Sequence, residues 1–223
     1  MNINIDVISD VVCPWCFIGK RRLEKALESF DGEHQIGMVW RPFELNPELP
    51  RDGMDRKSYL DAKFGGPERA REIYSRITAA GAAEGIGFNY DAIRRTPNTF
   101  DAHRLLWMAQ RGAIQNALAE LLFNDYFANG RDLGDHAVLT AAAGQCGIDT
   151  AEAGSFLEGP GGAEEVRREQ WVAHEIGVSA VPYFIINGRY GFSGAQDPQM
   201  ILSVLKRVVE EDESPRNVFE PAT

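Results

Sequence analysis

The sequence has few groups that could hold a metal: three cysteines, Cys13, Cys16 and Cys146, and four histidines that stand far apart. A zinc site usually takes four Cys or His ligands in two closely spaced pairs. Only one pair is present, so the cysteines do not read as a metal clamp. Basic charge is also scarce, with 23 Lys and Arg against 33 Asp and Glu, a net charge of -10 and a pI near 4.9. Phosphate recognition needs clustered Lys and Arg, which argues against a nucleic-acid partner; the acidity serves solubility. No apolar run approaches the about 20 residues that span a bilayer. No G-x-G-x-x-G follows a strand, so neither a flavin nor a nicotinamide is expected. The opening "MNINIDVISD" has no basic start and no small-residue cleavage site, and does not read as a signal peptide. The expected compartment is therefore the cytoplasm, where thiols are kept reduced and a static structural disulfide is out of place.

What is present fits a globular α/β chain. The 223 residues suffice for one large domain or one domain with an insertion, and 44% hydrophobic and 25% charged residues are ordinary values. Ile3, Ile5 and Val7 alternate with polar neighbours as in a strand. A helix follows the cysteines, carrying Phe17, Leu23, Ala26, Leu27 and Phe30, and ends at Asp31-Gly32. A second strand carries Ile36, Met38 and Trp40 and runs out at Arg41-Pro42. Helical, Ala-rich patterns then cover Lys57–Phe64, Pro67–Ala83, Asn98–Arg111, Gln115–Asn129, Asp135–Cys146 and Ala151–Phe156. Pro67 suits a first helical position and Asp135 an N-cap. Apolar residues at helical spacing there, such as Leu105, Leu106 and Met108, read as bundle core. Glu164–Ile176 reads as a helix, Tyr183–Ile186 and Arg189–Phe192 as a hairpin about Asn187-Gly188, and Pro198–Glu210 as a last amphipathic helix. Without the helical block, a small sheet unit of β-α-β and α-β-β-α order remains.

Its first strand-to-helix junction carries "DVVCPWCFIGKRR". In a cytosolic chain, C-x-x-C at such a junction reads as a redox motif. Pro14 is suited to the first turn of a helix, which puts Cys13 at the N-terminus, where unpaired N–H groups favour a thiolate. Cys16 lies one turn further in. Cys13 is thus the attacking sulfur, and Cys16 resolves the mixed disulfide. Trp15 lacks the positive charge of a protonated imidazole, so the pair is expected to be less oxidising than a Cys-Pro-His-Cys site. The competing reading, two cysteines buried on one helix face, does not explain Pro14 beside a strand end.

"SDVVCPWCFIGKRRLE", "WRPFELNPELP", "NTFDAHRLLWMA" and "GVSAVPYFIINGRYGFSGAQ", in this order and over nearly the whole chain, give a resemblance. The sequence resembles the DsbA-like thioredoxin-fold proteins of the FrnE type, relatives of the kappa-class glutathione transferases and 2-hydroxychromene-2-carboxylate isomerases. The resemblance implies a thioredoxin-like fold with an inserted all-helical domain: 1–50 and 162–212 as the discontinuous thioredoxin-like part, 51–161 as the insertion, and 213–223 as a mobile tail. It also implies a cis Val181-Pro182 bond facing the cysteines, leaving the Val181 main chain to pair with an extended substrate. The alternative is a trans proline opening a strand.

Relatives that act on glutathione usually carry serine at the Cys13 position; the full pair here favours electron transfer. Asn98, Thr99 and His103 match a family segment that overlooks the cysteines and could contact substrate or glutathione. They could equally cap a helix and pack against its partner. Asp10 is either a proton shuttle or an acid at a helix start, Trp40 and Phe43 are core and cleft lining, and Cys146 is a structural thiol. Some FrnE-type relatives carry a second, C-terminal cysteine pair that this chain lacks.

The expected activity is a cytoplasmic thiol–disulfide oxidoreductase acting on protein or small-molecule thiols and disulfides. It would have no tightly bound cofactor or metal and no membrane partner, with glutathione as co-substrate or a thioredoxin-type reductant, as monomer or homodimer. Two alternatives stand beside it: a glutathione-dependent isomerase or transferase for a small aromatic molecule, and a non-catalytic binding module that uses the Pro182 edge.

Overall fold

Strand β1 (Asn2–Ser9) occupies the middle of the sheet, and its burial follows from that position. Ile3, Ile5 and Val7 face one side while Asp6 and Ile8 are buried on the other. The computed structural model describes residues 1–110, 114–211 and 217–219. β1 pairs in parallel with β2 (Gln35–Pro42), from Asn2 opposite Gln35 to Ser9 opposite Pro42. On its other edge it pairs antiparallel with β5 (Tyr183–Ile186), which forms a hairpin with β6 (Tyr190–Ser193). The sheet order is β2-β1-β5-β6. Asn187 and Gly188 make the hairpin turn with φ of 51° and 66°, and the Arg189 N–H donates to the Ile186 carbonyl at 3.1 Å. Both values lie in the left-handed region that Asn and Gly tolerate.

Helix α1 (Pro14–Glu28) makes the crossover between the parallel strands and packs against α9 (Pro198–Glu210), which buries Ile201, Leu202, Leu205 and Val208. On the opposite face, α8 (Ala163–Glu175) packs against β2, and Ile8, Phe43, Ala173, Val178 and Ile185 form a second small core. A thioredoxin-like core with a large insertion is the result. Helix α1 stops at Glu28, three residues before the expected Asp31.

The insertion contains α2 (Arg56–Phe64), α3 (Pro67–Ala83), α4 (Phe100–Gln110), α5 (Gln115–Phe127), α6 (His136–Gln145) and α7 (Thr150–Glu158). The Asp135 carboxylate caps α6 by accepting from the Ala137 N–H. The insertion is not all-helical. β3 (Met54–Asp55) and β4 (Arg95–Thr96) pair antiparallel, and a 3-10 turn spans Tyr90–Ala92. Ladders of two residues are too short to show an alternating pattern in sequence.

Aromatic packing fixes α1 to the insertion: Phe17 stacks on Phe123 at 5.0 Å, and Trp40 meets Phe123 edge-on at 5.8 Å. Trp40 and Phe43 are core residues. The Gln115 side chain lies along the outer edge of β2, accepting from the Trp40 N–H and donating to the Trp40 carbonyl at 2.8 and 3.0 Å. That contact satisfies main-chain groups an edge strand would otherwise leave unpaired.

Arg111, the expected last residue of α4, lies outside the described residues, as do 213–216 and 220–223 of the expected tail. Residues 217–219 are docked instead of free. Phe219 is buried in the second core, with the Arg41 guanidinium 4.4 Å from its ring centroid, because one large apolar side chain gains more from burial than a polar stretch around it suggests. Among the described residues, no helix is long and apolar enough to cross a membrane.

Candidate active site

β1 ends at Ser9, and a tight turn in which the Cys13 N–H donates to the Asp10 carbonyl at 3.0 Å delivers the chain to α1. Cys13 is the N-cap, extended at φ -92° and ψ 113°, and Pro14 opens the helix. Proline fixes φ and has no N–H to lose at this position, so the turn holds the Cys13 side chain at the helix entrance. The Cys13 Sγ lies 3.7 Å from the Val181 carbonyl oxygen. The Val181–Pro182 peptide bond is cis. Gly19 lets α1 approach this segment: a Cβ there would stand 2.9 Å from Pro182 Cγ.

Cys16 is more deeply enclosed, 1% exposed against 5% for Cys13, and both are free thiols. Burial, reinforced by the adjacent Cys13, pushes the Cys16 thiol well above its ordinary range, while the Ser9 hydroxyl and the Asp10 main-chain N–H act the other way. The two sulfurs therefore have different surroundings. One sits at an opening, and the other is sealed beneath it.

The opening is a cavity of about 320 Å³. Cys13, Pro14 and Trp15 form one side, Ala180 and Val181 a second, and α2 and α3 supply Arg56, Tyr59, Lys63, Phe64 and Tyr74 opposite. The Arg56 guanidinium donates to the Tyr74 hydroxyl at 2.6 Å and to Thr96 Oγ1 at 3.3 Å; Lys63 Nζ donates to the Tyr59 hydroxyl at 2.6 Å. Among the described residues, no carboxylate pairs with either cation. Burial raises the Tyr74 phenol against the opposing pull of Arg56, so it remains a neutral phenol. The pocket joins a thiol at a helix N-terminus, aromatic walls and unneutralised positive charge.

Asn98, Thr99 and His103 do not line this cavity. Asn98 caps the start of α4, accepting from the Phe100 N–H and donating to the Leu49 carbonyl, both at 3.0 Å, and faces a separate cleft of about 740 Å³. Neither cysteine borders that larger cleft, so size alone does not mark the chemistry. Thr99 is buried, and its carbonyl accepts from the His103 N–H at 3.0 Å. His103 Nε2 lies 3.1 Å from the Phe43 carbonyl, which can only accept, so Nε2 carries the proton. The same nitrogen is 3.6 Å from Asp10 Oδ1. Asn98 and His103 reach the loop after β2, at Leu49 and Phe43, and His103 meets the cysteine turn only at Asp10.

Asp10 is fully buried and accepts from the Leu45 N–H at 2.8 Å, tying the cysteine turn to the same loop; it does not cap α1. Cys146 is half-buried at the C-cap of α6, and burial raises its thiol. Arg56, Tyr59, Lys63 and Tyr74 were not singled out from sequence, since they occupy ordinary amphipathic helices with no motif. Ser9 gave no signal either.

The model of the DsbA-like thioredoxin domain family matches residues 4–206. A solved structure described as a probable DsbA oxidoreductase, SCO1869 from Streptomyces coelicolor, is similar at 33% identity and a TM-score of 0.85, covering 96% of this chain and 93% of that one. The uncharacterized protein YwbO of Bacillus subtilis is 29% identical over 188 residues, 83% of this chain and 88% of that protein. The cytosolic disulfide reductase DsbM from Pseudomonas aeruginosa, solved with GSH, shares the fold at 15% identity and a TM-score of 0.65, covering 93% and 99% of the two chains. With its matched span, its sheet order and its cysteine-bearing strand-to-helix junction, the chain belongs to the DsbA-like thioredoxin domain family.

Proposed function

We propose that this protein is a thiol–disulfide oxidoreductase in which Cys13 is the nucleophile and Cys16 the resolving thiol. The observation that carries the reading is the asymmetry of the pair. Cys13 opens onto a cavity beside the Val181 main chain, and Cys16 is sealed beneath it. The Cys13 thiolate attacks a substrate disulfide, forming a mixed disulfide and releasing one substrate thiol. Cys16 then attacks Cys13 Sγ, closing Cys13–Cys16 and releasing the second. Pro14 and Trp15 set the exposure and electrostatics of the first sulfur, and Val181 and Pro182 form the ledge against which substrate lies. A thioredoxin-type reductant or glutathione reopens the pair in the cytoplasm, with no tightly bound cofactor. The pairing of DsbM with GSH supports glutathione in this role. Cys16→Ser is expected to abolish insulin reduction by dithiothreitol and to accumulate the mixed disulfide on Cys13. Full turnover in that variant would refute the reading.

The cavity itself favours a second reading, a glutathione-dependent isomerase or transferase for a small aromatic molecule, since Tyr59, Phe64 and Tyr74 offer ring faces beside Arg56. Such an enzyme would be indifferent to Cys16→Ser. A binding module would keep its partner with both cysteines replaced by serine.

A further inference from the structure

The loop that follows β2 borders two cavities. Leu45 and Asn46 line the cysteine cavity, while Glu44 and Pro47 line the larger cleft of about 740 Å³, so the two openings share this loop as a wall. A cleft of that size suits several residues of extended chain. Its charges are unevenly paired. Asp101 is engaged by Arg104 at 2.7 Å and by Arg51 at 3.3 Å, and Arg104 also donates to the carbonyls of Phe156, Leu157, Gly159 and Gly161. Arg167 lies over the Phe100 ring at 4.9 Å. Glu44 accepts from the Gln170 side chain at 2.9 Å through Oε2, but its Oε1 is enclosed and has no hydrogen-bond partner among the described residues. Glu158, exposed on the rim, is in no ion pair among them either. An enclosed carboxylate oxygen without a donor is unfavourable, and burial pushes the Glu44 carboxyl up while Gln170 opposes it. A cation brought to Oε1 removes both penalties.

We propose that this cleft is a second subsite for polypeptide substrates, in which Glu44 receives a Lys or Arg side chain of a chain whose disulfide lies at Cys13. The inference rests on the redox reading above and deepens it by naming a substrate class, a basic protein segment. Lys and Arg carry a positive charge and several donors at the end of a long apolar stem, which suits a carboxylate set back from the surface. Glu158 on the rim attracts the same charge, and so does the chain as a whole, with its net charge of -10. An acidic side chain in the same place would meet two unpaired carboxylates, so the cleft discriminates by sign. No bond is made or broken there. A substrate anchored across the shared wall has its disulfide held near Cys13, which raises the effective concentration of the reacting sulfur.

The test uses the reduced full chain in excess, in a Cys146→Ser background, and short peptides whose single cysteine is capped as its nitrothiobenzoate disulfide. Each peptide carries one lysine, stepped along the chain on either side of the cysteine, or glutamine at the same position. Attack of Cys13 on the peptide sulfur forms the Cys13–peptide disulfide, and nitrothiophenolate leaves with the electron pair, its colour giving the rate. In the parent, lysine at a matching spacing is expected to react about tenfold faster than glutamine, the effect of one hydrogen bond to a charged group. Glu44→Gln is expected to bring that ratio to about one. The ratio compares two peptides on one protein, so a change in thiol reactivity alone does not move it. Glu158→Lys, on the exposed rim, decides the matter if Glu44→Gln folds poorly: it too lowers the ratio. A lysine preference at no spacing, or one that stays at the parent value in the folded variant, overturns the proposal; the second result would assign the preference to the acidity of the whole chain. Release of nitrothiophenolate from none of the peptides instead overturns the redox reading beneath it.

Discussion

Between the two cysteines stands Trp15, 39% exposed on the rim of the cavity. Its ring shields the opening, and it brings no charge to the helix entrance. A protonated imidazole there would favour the Cys13 thiolate and so the reduced form of the pair. Trp15→His is therefore expected to make the disulfide more oxidising. Equilibration against a glutathione buffer should show the change, each tenfold in the equilibrium constant corresponding to about 30 mV. An unchanged constant would mean that the buried surroundings of Cys16 set the poise. The cysteine pair itself was legible from local sequence, because i, i+3 spacing and a proline at the first helical position are properties of one turn of chain. Arg56 and Lys63 were not, because their place in the cavity with Cys13 depends on how α2 packs.

At the scale of elements, the contact between α1 and the Pro182 segment decides whether the site forms. Helix propensity favours alanine over glycine at position 19 by about 1 kcal/mol. Against that, a Cβ would stand 2.9 Å from Pro182 Cγ and 3.2 Å from Phe184 Cζ, neither of them the end of a flexible chain. Overpacking of this kind costs about 1–3 kcal/mol. The clash wins, so Gly19→Ala is expected to lower the urea midpoint and, by levering α1 from β5, to reduce activity more than stability. A raised midpoint would show that the two elements separate freely. Several elements could be read to the residue, among them α3, β5 and α9, since each has its own period and its own stop signal. The β3–β4 ladder was missed because two residues have no period.

Across the whole molecule, Arg41 holds separate parts of the fold together. Its guanidinium donates to Asp6 on β1 at 2.7 Å and to Glu169 on α8 at 2.8 Å, with the Phe219 ring over it, and all three charged groups are buried. Burial raises both carboxyls above their usual 3.8 and 4.5, with Arg41 opposing. A carboxyl whose folded pKa is raised favours the fold when protonated, and that advantage disappears as pH rises through the folded value. Arg41→Leu removes the opposing cation and leaves two buried carboxyls that must ionise or stay protonated. The expected loss is about 3–5 kcal/mol near neutral pH and clearly less at about pH 5. Urea midpoints at the two pH values check it; an equal loss at both would mean that packing, not charge, dominates.

Sequence alone determined the parts of this protein that neighbouring residues control: the Cys13-Pro14-Trp15-Cys16 turn, the Asn187-Gly188 hairpin, and the order of strands and helices around a long insertion. Tertiary structure decided which distant side chains meet the cysteine turn. Arg56, Tyr59, Lys63 and Tyr74 reach the cavity from α2 and α3, His103 turns to Phe43 and Asp10, and Phe219 returns to the second core. Helical periodicity reports that a face is buried, but not what it is buried against. That choice is made by packing between elements far apart in the chain, and here it separates a cysteine motif from a built site.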